Sequence, residues 1–483
     1  MDSIWANSCK LEKRPSLKGE IETEIAIIGG GMTGVLTAWQ LQKSGKKAVV
    51  LERYSVGSGQ TGNTTAKITS QHGMCYANMI EKYGTAKARQ YALANENARK
   101  EYMRIIQTEN IDCNFETVCS YVYGKSAGRL EEEIRAAKSL GLPAELSREH
   151  LTLPFPVWGA VKFRNQAQFH PLKFLSALTQ DLTIYENTPV KRAEGHMLTT
   201  PEGQVKAENI IFACHFPFVN IPGLYFARMH QERSYVLALE NAPLPNGMYI
   251  GAEKNSYSFR SFGSCLLLGG EGHRCGENDE ASRYQRLRKR AEQWFPKSRE
   301  ICCWSAQDCV TADSIPYIGK FSAGKEDWYV ATGFQKWGMT TSMAAAMLLR
   351  DEICRIPNPN REIFSPQRFP IKDMDFFLSD GLRSAKELVR PFLKNPQLTA
   401  KDLMPGHGGI VTHEGKKIGI YKDEQGHVYA VKIRCPHLGC QLSWNPDEKS
   451  WDCPCHDSRF DYRGKRNTTA FEAERLRSSL NLA

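Results

Sequence analysis

Residues 25–28 are Ile-Ala-Ile-Ile, followed by Gly29-Gly-Gly31-Met-Thr-Gly34 and a helical stretch over 35–43. An apolar strand that turns on glycine directly into a helix opens a doubly wound parallel sheet and leaves few other folds available. Gly29 permits the tight turn, Gly31 lets the backbone approach a pyrophosphate, and Gly34 allows close packing of helix on strand. A diphosphate then lies against the helix N-terminus, whose open N–H groups and dipole favour an anion. A second apolar strand, 48–51, ends in Glu52, about where a carboxylate binds adenosine ribose hydroxyls. An acid there argues against a 2′-phosphate.

Apolar strands alternate with helical patterns from Ile25 to about Ile363, as an α/β domain requires. The strand candidates include 24–28, 48–51, 208–213, 264–268 and 328–331, and helical spacing runs over 86–108 and 282–294. No internal repeat is present. A break falls at Pro357-Asn-Pro359 and Ser365-Pro366, and 375–393 then places Phe376, Phe377, Leu382, Leu388 and Phe392 at helical spacing. That segment is expected to be a connecting amphipathic helix, with a membrane-surface helix as the alternative. After Pro396 short alternating runs, 417–421 and 427–433, sit between Gly and Asp turns, the texture of a small all-β domain. The expected domains are therefore 20–370, a linker at 371–399, and 400–483; a chain of 483 residues is too long for one ordinary core.

With 41% hydrophobic and 24% charged residues the chain is expected to fold rather than stay disordered. Its net charge of +10 is spread without a basic block, which gives no footprint for nucleic acid. The apolar run 25–39 is broken by four glycines and stands too far from Met1 for a signal core, so no membrane span and a cytoplasmic location are expected. Of the fifteen cysteines, those such as Cys75, Cys214, Cys265, Cys302 and Cys303 have no ligand-like spacing and are expected to be reduced and mostly buried. Four near the C-terminus behave differently.

The loop after Glu52, Gly57-Ser-Gly59-Gln-Thr61-Gly62-Asn-Thr-Thr65-Ala66-Lys67, is rich in Gly, Ser and Thr. It resembles the loop that D-amino-acid-oxidase-like FAD enzymes hold against the pyrophosphate and flavin, and the resemblance continues over residues 20–370. Thr188-Pro-Val190 resembles the strand on the adenine side, and 210–215 the segment that closes over the dinucleotide. Residues 304–319 resemble the substrate-side return to the flavin. Residues 331–341, with Gly333, Gly338 and Met339, look like the flavin-contacting loop and helix start. The resemblance implies an α/β, Rossmann-like domain of glutathione-reductase type with an inserted antiparallel-sheet substrate region. It assigns FAD binding to Gly29, Gly31, Gly34, Glu52, Gly59, Thr61, Thr65, Val190, Gly333, Gly338 and Met339. In this family hydride leaves a carbon bearing nitrogen and no strong protein base is required. His170, Arg260 and His273 are the candidate catalytic groups, able to contact a carboxylate or orient an amine; a structural role for each is the competing reading.

Cys435-Pro-His437-Leu-Gly-Cys440 and Cys453-Pro-Cys455-His456-Asp457-Ser458-Arg-Phe460 offer C-x-H, a fifteen-residue gap, then C-x-x-H. Two thiolates and two imidazoles could hold zinc on count alone. One thiolate and one imidazole on each of two loops, in the same order, is what a Rieske [2Fe–2S] centre needs, with Cys435 and Cys453 on one iron and His437 and His456 on the other. Cys440 and Cys455 match the loop-to-loop disulfide of Rieske proteins similar to those of respiratory and photosynthetic cytochrome complexes; in a cytoplasmic protein a reduced pair is the alternative. The sequence departs from those relatives at Asp457, where Gly is usual, at Phe460, where the highest-potential members carry Tyr, and over 464–470, where the usual Gly-Pro-Ala-like covering loop is absent. Together the two resemblances imply an oxidoreductase in which FAD takes a hydride from a small amine, N-methyl amine or amino acid. A single [2Fe–2S] cluster then exports the electrons one at a time to an external acceptor. Oxidation of an alcohol or 2-hydroxy acid, or a redox sensor or electron carrier without a metabolic substrate, are the alternatives.

Overall fold

The computed structural model of the chain describes residues 2–276, 282–368, 399, 402–436, 439–454 and 458–465. The expected helix at 375–393 lies outside them.

The glycine-turn strand, Gly19–Ile28, is central to an eight-stranded sheet whose main path runs Tyr317–Ser322, Lys325–Thr332, Gly203–Phe212, Gly19–Ile28, Ala48–Leu51, Thr183–Tyr185. Its partners on both sides are parallel, with Ile28 opposite Phe212 on one edge and Leu51 on the other. Parallel strands are covered on both faces, and the alternation along them shows it. Ile25, Ile27, Val50 and Ile211 enter the larger core under the helices Met32–Lys43, Tyr76–Thr108 and Gly338–Ile353. Ala26, Ile28, Val49, Leu51 and Phe212 enter a second core on the opposite face. That double burial is why 25–28 is an unbroken apolar run. The larger core also takes in Ile4 and Trp5 from a short helix, Ile4–Ser8, ahead of the first strand.

A nine-stranded sheet stands against this layer, its main path in the order Arg299–Thr311, Met229–Glu240, Cys265–Arg274, Ser258–Phe262, Gly247–Gly251, Glu116–Gly124, Gly159–Gln168, Lys67–Ile68, with Ala144–Ser147 paired to Gly159–Gln168 off that path. It is antiparallel as expected, except that Gly247–Gly251 runs parallel to Glu116–Gly124. Beyond residue 402 two three-stranded antiparallel sheets form the small β domain: Gly408–His413, Lys416–Lys422, Val428–Val431, and Ser443–Asn445, Ser450–Asp452, Arg459–Asp461. Among the described residues no helix is long and apolar enough to cross a membrane.

Candidate functional site

Three glycines shape the cradle, and they are not equivalent. Gly29 has φ +112°, and a Cβ on it would meet the Ala213 carbonyl oxygen at 2.6 Å. A Cβ on Gly34 would stand 1.9 Å from the Gly29 carbonyl oxygen, whereas on Gly31 it would meet only the Thr61 hydroxyl, at 3.3 Å. Gly34 therefore seats the helix, and Gly31 leaves an open face. Gly30, which the motif passes over, is needed as well, because a Cβ there would meet Glu52 Cβ at 2.9 Å. Glu52 accepts from the Gly30 N–H at 2.6 Å and the Tyr54 N–H at 2.8 Å. Burial nevertheless pushes its pKa up, against those backbone donors.

These elements border a cavity of about 840 Å³. Glu52, Val190, Gly29, Gly31, Gly59, Thr61, Thr65, Gly333, Gly338 and Met339 all line it. Thr61 has a second task, accepting from the Met32 N–H at 2.9 Å at the start of the helix. A cradle emptied of Cβ atoms, a helix N-terminus and a carboxylate at the second strand fit a dinucleotide of the FAD kind.

The loop 57–66 is held from several directions. Trp5 Nε1 donates to the Thr64 carbonyl at 2.7 Å, Trp304 Nε1 to the Asn63 carbonyl at 2.9 Å, and Gln307 N–H to Gln60 Oε1 at 2.8 Å. Arg260, one of the candidate catalytic residues, is 1% exposed and donates to the carbonyls of Thr65, at 2.7 Å, and Ala66, at 2.6 Å. Ala66 has φ +52°, a conformation non-glycine residues seldom take unaided, and Arg260 Nη1 holds the loop in it. Arg260 therefore acts on the loop and does not line the cavity.

His170 and His273 do not line it either. His170 is buried, and its Nδ1 accepts from the Lys173 N–H at 3.2 Å, capping the helix Pro171–Leu178, with Ser8 Oγ 3.0 Å from Nε2. His273 Nδ1 lies 2.9 Å from the Arg274 carbonyl, so Nδ1 carries the proton and Nε2 accepts from Tyr235 Oη at 3.1 Å. Burial lowers both pKa values to about 4.

Among the titratable groups that do line the cavity are two that periodicity could not single out. Lys67, on the edge strand Lys67–Ile68, points its Nζ at the Tyr249 carbonyl, 3.4 Å away. Burial, with the Arg260 charge adding to it, pushes its pKa down to about 7. Asp308 stands on the strand Arg299–Thr311; burial raises its pKa to about 7, partly offset by Lys336 and reinforced by Glu232. One cation and one acid therefore face the same cavity, both poised near neutrality.

In the small domain Cys435 and Cys453 are 2% and 1% exposed, in a core with Val431, Ile433, Leu442, Trp451 and Phe460. Each begins a tight loop closed by backbone: Cys435 N–H donates to the Cys440 carbonyl and Cys453 N–H to the Ser458 carbonyl, both at 2.9 Å. Two buried sulfurs heading two reversed loops suit the donor set of a Rieske centre. His437, His456 and Cys455 lie outside the described residues, so the remaining ligand positions and the Cys440–Cys455 pairing do too. Residues on either side of the second loop face the first domain. Ser458 and Arg459, with Glu448, line the same cavity as Gly59 and Gly333. Pro454 packs on Gly276, where a Cβ would meet it at 2.4 Å.

Residues 24–352 match the family model described as FAD dependent oxidoreductase, and residues 395–477 match the Rieske [2Fe-2S] domain. A Bacillus subtilis protein named as a Rieske 2Fe-2S iron-sulfur protein is 37% identical over 96% of this chain and 95% of its own length. Among solved structures, the L-proline dehydrogenase of P. horikoshii superposes with a TM-score of 0.62 at 18% identity, covering 73% of this chain and 98% of that one. Glycine oxidase of Geobacillus kaustophilus superposes with a TM-score of 0.59 at 18% identity, covering 72% and 99%.

Proposed function

The chain belongs to the FAD dependent oxidoreductase family and carries a C-terminal Rieske domain, and from that premise we propose that it oxidises a small amine, N-methyl amine or amino acid and exports the electrons to an external acceptor. The first domain binds FAD and the second a [2Fe–2S] cluster. When bound, FAD supplies the hydride acceptor and the cluster a one-electron exit. The observation that carries the reading is the shared cavity: Ser458 and Arg459, from the loop and strand after Cys453, stand in the wall that Gly59, Gly333 and Gly338 also form. A domain kept only for its own fold needs no residue on that wall.

The residues assigned to FAD are the glycine cradle, Glu52 at the ribose, Thr61 and Thr65 on the loop, and Gly333, Gly338 and Met339 opposite. On the substrate side Lys67 and Asp308 are the groups proposed to pair with a carboxylate and an ammonium. Anaerobic rapid mixing with a panel of amines, amino acids and hydroxy acids tests the function. A nitrogen-bearing substrate is expected to bleach the flavin first and the cluster second. Bleaching by hydroxy acids alone, or a cluster that stays oxidised throughout, overturns it.

Lys67→Met carries its own expectation. For a substrate with a carboxylate KM rises by about tenfold with kcat little changed, because a uniform binding contact is lost; for a plain amine KM stays put. The FAD-free protein gives an independent check. A folded pKa of about 7 against an ordinary 10.5 means the unfolded chain binds more protons between those values. Stability contributed through Lys67 therefore rises as pH climbs from about 7 to 10.5, and Lys67→Met flattens that rise in the thermal midpoint. An identical pH slope in the variant rules out a Lys67 whose pKa is lowered by burial.

A further inference from the structure

Arg233 sits on the strand Met229–Glu240, opposite Gln307 on one neighbour and His273 on the other. Its guanidinium is wholly buried and reaches into the other domain: Nη2 is 3.1 Å from Asp452 Oδ2, in the Rieske domain. The same guanidinium donates to Gln307 Oε1 at 2.5 Å. Asp452 is held by its own domain as well, accepting from Asn445 Nδ2 at 3.1 Å and Ser450 Oγ at 2.8 Å. It immediately precedes Cys453. Gln307 lines the FAD cavity, and its N–H takes Gln60 of the flavin-side loop. An unbroken run of polar contacts therefore leads from the cavity wall, through Gln60, Gln307, Arg233 and Asp452, to the residue beside a candidate cluster ligand.

Around this pair the seam is specific. Tyr284 Oη donates to Glu448 Oε1 at 2.7 Å, and Arg459 closes on the other Glu448 oxygen. Asn445 Nδ2 lies 3.5 Å from Tyr235 Oη, which His273 backs. A buried ion pair contributes little net stability once both charges have been stripped of water, and it is costly when one partner moves away. What such a pair does well is fix register, since one docked arrangement satisfies it and neighbouring ones leave a buried charge unpaired.

We infer that Arg233 is an interdomain positioning residue that, through Asp452, fixes the Cys453 loop against the flavin cavity, so that electrons cross in one docked arrangement. The inference rests on the electron-export reading above. It assigns no chemistry to Arg233, which does not line the cavity.

The test uses the full holoprotein with Arg233→Met, of similar length and without charge, and Arg233→Lys. FAD, iron and sulfide per chain are measured first. Backbone hydrogen exchange is then followed over Met229–Glu240 and Ser450–Asp452, and cluster reduction is timed after photoreduction of the flavin. In Arg233→Met exchange across both strands is expected to quicken and cluster reduction to slow by about tenfold or more, since small displacements of a reacting pair are costly. Flavin bleaching by substrate stays within about twofold, and Arg233→Lys recovers part of the loss. Unchanged exchange together with unchanged cluster reduction overturns the inference. If Arg233→Met fails to fold, Tyr284→Phe decides: removing one hydroxyl at the same seam is expected to quicken exchange in Ser450–Asp452, and no change there overturns the fixed docking. Should the wild-type flavin never reduce the cluster, electron export itself fails, while the exchange experiment still decides whether Arg233 fixes the register.

Discussion

Gly34→Ala is expected to purify without FAD while keeping two irons and two sulfides per chain. The added Cβ would stand 1.9 Å from the Gly29 carbonyl oxygen, far inside any tolerated contact, and the obstacle is backbone. Gly29 has no slack to yield, because it already sits at φ +112° with the Ala213 carbonyl against it. The helix Met32–Lys43 must then lift off the strand, which moves the N–H groups proposed to face the diphosphate. Overpacking of this kind costs roughly 1–3 kcal/mol, here concentrated on the binding turn. Gly31→Ala supplies the contrast. Its Cβ meets only the Thr61 hydroxyl, which can rotate, so the protein is expected to fold normally and bind FAD more weakly, through obstruction of the open face. Flavin content after gel filtration, with iron and sulfide assayed on the same sample, decides the matter. Full flavin occupancy in Gly34→Ala would mean that the turn is looser than its geometry demands.

The contrast between those two glycines shows what was legible in the sequence. The order of strand, glycine turn, helix and acid gives the parallel sheet, because backbone chirality and the missing Cβ leave few other solutions. The rank of the glycines depends on where Ala213 and Thr61 arrive, from strands and loops remote in sequence, and only the folded chain shows it. The two-loop thiolate pattern was legible for a similar reason: ligand spacing is local, and both sulfurs are buried in one core.

The catalytic candidates came out differently, and the reason is physical. His170, Arg260 and His273 stand out in a sequence because polar rings and guanidinium groups are scarce in apolar runs. A buried polar group must be satisfied wherever it lies, and these three are satisfied by backbone and hydroxyl groups without lining the cavity themselves. Lys67 and Asp308 give no such signal, since a lone lysine or aspartate on a strand resembles a solvated surface residue. Their environment is made by strand pairing: Lys67 gains its setting from the pairing of Lys67–Ile68 with Gly159–Gln168, and Asp308 from lying opposite Glu232. Arg233 was equally silent, because its partner lies in another domain.

Cys453→Ser is expected to abolish the cluster and to cut turnover with a one-electron acceptor by about tenfold or more, while substrate still bleaches the flavin within about twofold of the wild-type rate. Cys453 is 1% exposed and heads the loop that closes on Ser458, so serine fits the space. A serine hydroxyl is a harder and far less acidic donor than a thiol, and it is poorly suited to replace the thiolate of an iron–sulfur site. The flavin domain does not depend on that sulfur for its fold: its three cores, around Ile27, around Phe212 and around Leu237, contain no described residue of the small domain. Loss of the cluster should therefore leave the first half of the reaction in place and remove the exit. The opposing view is that the Rieske domain only covers the cavity wall it shares through Ser458 and Arg459. Covering needs the polypeptide and not the iron, so on that view acceptor turnover per folded chain would survive in Cys453→Ser. Arg233→Met separates the remaining possibilities, because it is expected to keep the cluster's spectrum and lose only the speed of its reduction. A variant pair in which Cys453→Ser loses acceptor turnover and Arg233→Met retains it at full rate would leave the cluster as the exit and discard the fixed docking. Loss in both, with flavin bleaching intact in both, is the result expected if the cavity and the cluster form one electron path held together across the Arg233–Asp452 pair.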